Sequence, residues 1–101
     1  MSTMDESVIE RCNITKINMP KKWKVIMHND DYTSMDFVVN ILIEVFKKNK
    51  DEANMIMMSV HNTGKGVVGI YTKDIAFTKI KICNEKAKME RFPFKVTAEE
   101  E

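Results

Sequence analysis

The sequence predicts one small domain of mixed α/β (α+β) class, ordered β-α-α-β-α-β, with a small open sheet covered on one face by helices. Three observations lead there. Apolar residues alternate from Trp23 onward, then recur at intervals of three and four in later stretches, and turn-forming residues separate these stretches. The 101 residues, 44% hydrophobic and 31% charged, suit one globular domain and leave no length for a second. No internal repeat is present.

The elements follow in order. Met1 to Asn18 mixes acids, Ser, Thr and Asn with scattered Val8, Ile9, Ile14 and Ile17 and keeps no period, so residues 1–19 read as a flexible arm and 20–101 as the folded domain. Pro20 marks the start of that domain. Trp23, Val25 and Met27 alternate with Lys24, Ile26 and His28, the pattern of a strand with one face buried and the other partly so. Asn29 to Thr33 is a turn, because Asn and Asp side chains hydrogen-bond nearby backbone. Thr33 and Asp36 have capping-box spacing ahead of Val38, Ile41, Leu42, Val45 and Phe46, which recur as one helical face ending near Lys47 and Lys48. Asp51 is placed to cap a second helix with Ala53, Ile56, Met57 and Val60 on one stripe and Gly64 as its stop. Val67 to Tyr71 reads as a strand, and Thr72 as the cap of a third helix burying Ile75, Ala76, Ile80, Cys83 and Ala87 until Pro93. Phe94 to Thr97 is a short last strand, and Glu99 to Glu101 a solvated acidic end.

Composition narrows the functions. Sixteen basic against fifteen acidic residues leave a net charge of +1, too weak a field to gather nucleic acid or anionic lipid. No apolar run approaches the roughly 18 residues of a membrane span, and Met1 to Glu10 lacks the basic and apolar regions of a signal peptide. Cys12 and Cys83 form neither a CxxC pair nor a disulfide framework, so the expected location is cytoplasmic. A domain this size buries about 60 to 65% of the surface its unfolded chain exposes, enough for one modest core and not for a large enclosed active site.

Several motifs resemble chemistry without its context. Gly64 to Gly69 spells GxGxxG, but a dinucleotide loop runs from strand to helix, and here a helix precedes the glycines and β-branched residues follow. A Walker A reading fails because Ser59 stands at the first glycine and Gly66 at the magnesium-binding hydroxyl. An EF-hand begun at Asn29 or Asp30 has Ser34 or Met35 at its glycine and no Glu at the twelfth position. His28, His61, Cys12 and Cys83 lack metal-ligand spacing and define no catalytic triad, so neither a metal, a cofactor nor catalysis is expected. Lys79, Lys81, Lys86 and Lys88 read as the wet side of the third helix, and they motivate the main alternative, a small nucleic-acid or ribosome-associated domain.

Nine methionines are many for this length, and Met27, Met35 and Met57 fall where a strand end and two helices meet. Flexible, polarizable Met suits a pocket accepting several apolar shapes, although any single Met is equally a core filler.

The run Trp23-Lys24-Val25-Ile26-Met27-His28-Asn29-Asp30-Asp31-Tyr32-Thr33-Ser34-Met35-Asp36-Phe37-Val38, with Val60-His61, Gly64-Lys65-Gly66 and Phe92-Pro93-Phe94, resembles ClpS, the N-degron adaptor family of the Clp protease. The likeness covers about four fifths of the chain, everything from Trp23 onward. It implies a three-stranded antiparallel sheet packed on three helices. It also implies a monomeric, non-catalytic adaptor that binds an N-terminal Leu, Phe, Tyr or Trp and hands the substrate to the N-terminal domain of the ClpA unfoldase. Carried over by motif, Asn29, Asp30 and His61 correspond to the ligands of the α-amino group, with Thr33 near the peptide backbone. Met27, Met35, Val38, Met57, Val60 and Phe94 correspond to the side-chain pocket, Met35 also excluding β-branched residues. Lys79 and Asp74 match the surface that docks on the unfoldase. Three positions depart from the family pattern: Ser34 replaces Pro, Phe94 replaces Leu, and His28 replaces an apolar residue.

Overall fold

The computed structural model describes residues 21–101; the arm, Cys12 and Pro20 lie outside them. The elements are β1 (Lys22–His28), α1 (Met35–Glu44), α2 (Lys50–Thr63), β2 (Lys65–Thr72), α3 (Lys73–Glu90) and β3 (Lys95–Glu100), in the expected order. The strands form one antiparallel sheet ordered β2-β1-β3. The most apolar strand takes the centre.

The pleat separates two faces. Val25 and Met27, both 0% exposed, share one face with Val96 and pack with Val38, Ile41, Leu42, Val60 and Ala76 in the single core. Ile26 points to the other face, beside Val67 and Thr97, and is shielded by its cross-strand neighbours rather than by helices. Register shifts between Val25, opposite Gly69, and Ile26, opposite Val67, leaving Val68 as a bulge whose buried side chain joins the core.

The helix boundaries differ from the expected ones for identifiable reasons. Ser34, not Thr33, caps α1: its Oγ accepts the Phe37 N–H at 3.1 Å, while the Thr33 hydroxyl donates to Asp30 in the preceding turn. Asn49, not Asp51, caps α2 through a complete capping box with Glu52, and Asp51 falls in the first turn, where the helix dipole favours a negative charge. Gly64 ends α2 in the left-handed region at φ 94°, as its position predicts. No basic residue lies in the last turn of α1, which ends at Glu44, before Lys47 and Lys48. Instead, Lys79 of α3 donates from Nζ to the Val45 carbonyl at 2.7 Å.

Two expectations about the second half are corrected. Ile75 is 48% exposed, because the buried stripe of α3 runs through Ala76, Ile80, Cys83 and Ala87, and Ile75 sits about 100° round the helix from Ala76. The last strand runs beyond Phe94–Thr97: Glu99 and Glu100, solvent-exposed as expected, belong to β3 and lie opposite Lys24 and Trp23, with Lys24 Nζ 3.9 Å from Glu99 and Lys21 Nζ 3.5 Å from Glu100. Thr72 precedes α3 without a side-chain cap bond, and β2 extends past Val67–Tyr71 at both ends. Among the described residues no helix is long and apolar enough to cross a membrane.

Candidate functional site

The polar turn after β1 is built by Asp30. Its Oδ1 accepts the N–H groups of Tyr32 at 2.8 Å and Thr33 at 2.7 Å, and its Oδ2 accepts the Thr33 hydroxyl at 2.8 Å. Desolvation is the largest single influence on this carboxyl and raises its pKa, but the Thr33 and Tyr32 bonds together outweigh it, and the net shift is downward. Asp30 therefore stays charged at neutral pH. A carboxylate offers about four lone-pair positions. Three hold the turn, and one remains for a ligand.

A backbone bond brings this turn to α2: the Asn29 N–H donates to the Gly64 carbonyl at 2.8 Å. The left-handed geometry at Gly64 aims that carbonyl back toward β1, and His61 lies one turn earlier on the helix. The result is one cavity of about 410 Å³, near the lower end of the 300 to 1,000 Å³ common for ligand sites. Asn29, Asp30, Thr33 and His61 contribute its polar part; Met35, Val38, Met57, Val60 and Phe94 contribute its apolar wall. Val38, Val60 and Phe94 are buried, Met57 is half-buried, and Met35 is 43% exposed, so Met35 stands at the mouth and the others form the deeper wall.

Met27 is the exception among the pocket residues expected from sequence. It shares the pleat face of Val25, is fully buried in the core, and takes no part in the lining. The sequence reading missed Asp31, Tyr32 and Ser34, which complete the rim, and His28, which also borders the cavity. Adjacency to Asp30 was the available signal for the first three. His28 shares a 2.7 Å hydrogen bond with the Thr97 hydroxyl, tying β1 to β3 at the end nearest the cavity. Burial first, then the positive charges of Lys95 and Lys65, hold its pKa below the ordinary histidine value. Phe94 packs edge-on against Phe37 at 5.7 Å between ring centres, and Phe37 meets Phe92 at 5.1 Å.

The two residues expected at a docking surface lie away from this cavity. Asp74 and Lys79 border a shallow cleft of about 250 Å³ along α3 with Ile75, Thr78 and Ile82. Besides reaching Val45, the Lys79 ammonium lies 5.7 Å from the Phe46 ring centre and 5.6 Å from that of Tyr71, so its charge is largely engaged within the fold.

Comparison with known proteins adds the family. The family model for the ATP-dependent Clp protease adaptor protein ClpS matches residues 18–97. The adapter ClpS of Oleidesulfovibrio alaskensis is 46% identical over 85 residues, covering 84% of this chain and 82% of that protein. The adapter ClpS of Helicobacter hepaticus is 46% identical over 97 residues, covering 96% and 98%. The solved structure of Agrobacterium tumefaciens ClpS2 bound to L-phenylalaninamide superposes with a TM-score of 0.79 at 40% identity, covering 81% of this chain and 99% of that one. Fold, turn and family match coincide on the same residues, and the chain belongs to the ClpS family of ATP-dependent Clp protease adaptors.

Proposed function

We propose that this adaptor reads the first residue of proteins that begin with Leu, Phe, Tyr or Trp and passes them to the ClpA unfoldase. The observation carrying the reading is the joining of acceptors and apolar wall in one cavity. A free α-ammonium has three N–H donors and one positive charge; the Asn29 side-chain carbonyl oxygen, the remaining Asp30 lone pair and a His61 ring nitrogen are three acceptors, one of them charged. An internal peptide segment has no such group, so the polar part selects a chain terminus and the Met-lined part selects a large apolar side chain. L-phenylalaninamide, the ligand of the Agrobacterium relative, combines a free α-amine with a benzyl side chain.

Chemistry by the adaptor itself has no part in this reading: the protein binds, as a monomer in the cytoplasm, and the protease cuts. Delivery runs through the α3 cleft, where Asp74 offers a charge that is in no ion pair among the described residues and Ile75 and Ile82 offer apolar area. The nucleic-acid alternative is less well supported, since Lys79 is turned onto Val45 and Lys86 lies 3.8 Å from Glu44, which breaks the basic row.

Fluorescence anisotropy of a labelled peptide beginning with Leu tests the first step, beside the same peptide N-acetylated and one beginning with Ala. Micromolar or tighter binding of the free Leu peptide alone is expected. Equal binding of all three, or of none, contradicts the reading.

A further inference from the structure

A second cleft, about 730 Å³ and more open, lies beside the cavity and shares two residues with it, Tyr32 and Phe94. It continues along the end of α3 past Asn84, Lys88, Arg91 and Phe92. We infer that this cleft binds the substrate residues following the first and favours an acidic side chain there. The inference rests on the amine-reading function proposed above and adds a subsite to it.

Continuity is the first argument. A polypeptide whose first residue fills the cavity must leave over its rim, and Tyr32, 77% exposed, stands between the two depressions as a face and a hydroxyl for the departing backbone. An extended chain advances at most about 3.3 to 3.6 Å per residue, so the third and fourth residues are the ones to reach beyond a neighbouring aromatic side chain.

Charge is the second argument. The cavity is bordered by Asp30 and Asp31, the adjoining cleft by Lys88 and Arg91. Minus followed by plus along the path complements a ligand whose ammonium end is followed by a carboxylate. Neither Lys88 nor Arg91 is in an ion pair among the described residues. At the helix end two of the last carbonyls are already engaged: that of Ala87 accepts the Phe92 N–H at 2.9 Å and that of Lys88 the Arg91 N–H at 3.1 Å. Arg91, which lines the cleft, also holds a left-handed backbone at φ 61°, a position glycine fills more easily.

The test uses labelled peptides beginning Leu-Ser, with Asp-Asp, Ser-Ser or Lys-Lys as third and fourth residues, in competition anisotropy with the full chain. The acidic peptide is expected to bind about 3- to 10-fold more tightly than the basic one, as exposed charge pairs allow, and the gap should shrink in 0.5 M salt. Lys88→Glu should abolish or invert that order when each affinity is taken relative to the Ser-Ser peptide on the same variant. Arg91→Gly, which keeps the left-handed backbone, should halve the gap or more. Equal affinities, or an acidic preference that survives both substitutions, overturn the subsite. Failure of every Leu peptide to bind would instead refute the amine-reading function, and the subsite with it.

Discussion

On the proposed reading, selectivity at the scale of single residues divides between Met35 and Asp30. Met35 stands at the cavity mouth, so truncation there opens room for a branch at Cβ without touching the polar end. We expect Met35→Ala to raise binding of Ile- and Val-initiated peptides toward that of Leu; an unchanged ranking in a peptide series removes the gatekeeper role. His28 makes a separate prediction, about stability. Its depressed pKa keeps it neutral in the fold at pH values where the unfolded chain already takes up a proton. The stability tied to neutral His28 is thus complete above about pH 6.5, the ordinary histidine value, and is lost as pH falls from there toward the lower folded value. Urea midpoints at pH 7.5 and 5.5 should show a smaller difference in His28→Val than in the unaltered chain. How the sequence revealed these residues differs. Asn29, Asp30, His61 and the wall residues were legible through the family's motif, whereas the methionine surplus alone indicated only some apolar pocket. Met27 shares the core with Val38 and Val60, which line the cavity, but lies fully buried behind that wall, a depth that a motif does not encode. His28 and Tyr32 border the site through tertiary proximity, which spacing along a chain does not encode.

Element boundaries show where local rules compete. Ser, Thr, Asn and Asp all qualify as caps, and the sequence around α1 and α2 offers several within three positions. Position along the turn decides between them: Thr33 is drawn back to Asp30 within the turn, and Ser34, the next residue, sits where its Oγ meets the Phe37 N–H. Ser34→Ala should accordingly lower stability by about 1 kcal/mol in chemical denaturation, a common value for a lost N-cap, while Thr33→Ala should act mainly on peptide affinity through the loosened turn. At the other end of α2, Gly64→Ala forces a Cβ into φ 94°, at an expected expense of about 1 to 2 kcal/mol. No neighbouring atom crowds that Cβ, so the loss is conformational and should appear in stability before it appears in affinity. Helical and strand periods were plain throughout; the exception, Ile75, has the right residue type beside the wrong stripe. An apolar residue in the first turn of a long helix satisfies periodicity counts equally well whether or not anything packs on it.

For the whole molecule, one core serves every element, so opening any part of it exposes the rest. Cys83 reports on this. It is fully buried at the centre of α3, and burial pushes its thiol up to about 12 against the opposing charges of Lys79 and Lys86. Alkylation of Cys83, followed by peptide mass spectrometry, should therefore track global unfolding and give the same free energy as urea denaturation; rapid labelling in the native state would mean that α3 opens alone. The order of elements and the single domain were legible because amphipathic periods and turn residues agree at every level. Strand order was not: nothing local states that β1 lies between β2 and β3. The join between Asn29 and Gly64 runs from main chain to main chain. Among the twenty residues, only proline at position 29 deletes its donor. Descent with side-chain change in the lining can thus retune what the cavity admits, residue by residue, while the clasp that brings its two halves together persists wherever glycine holds the left-handed turn at 64.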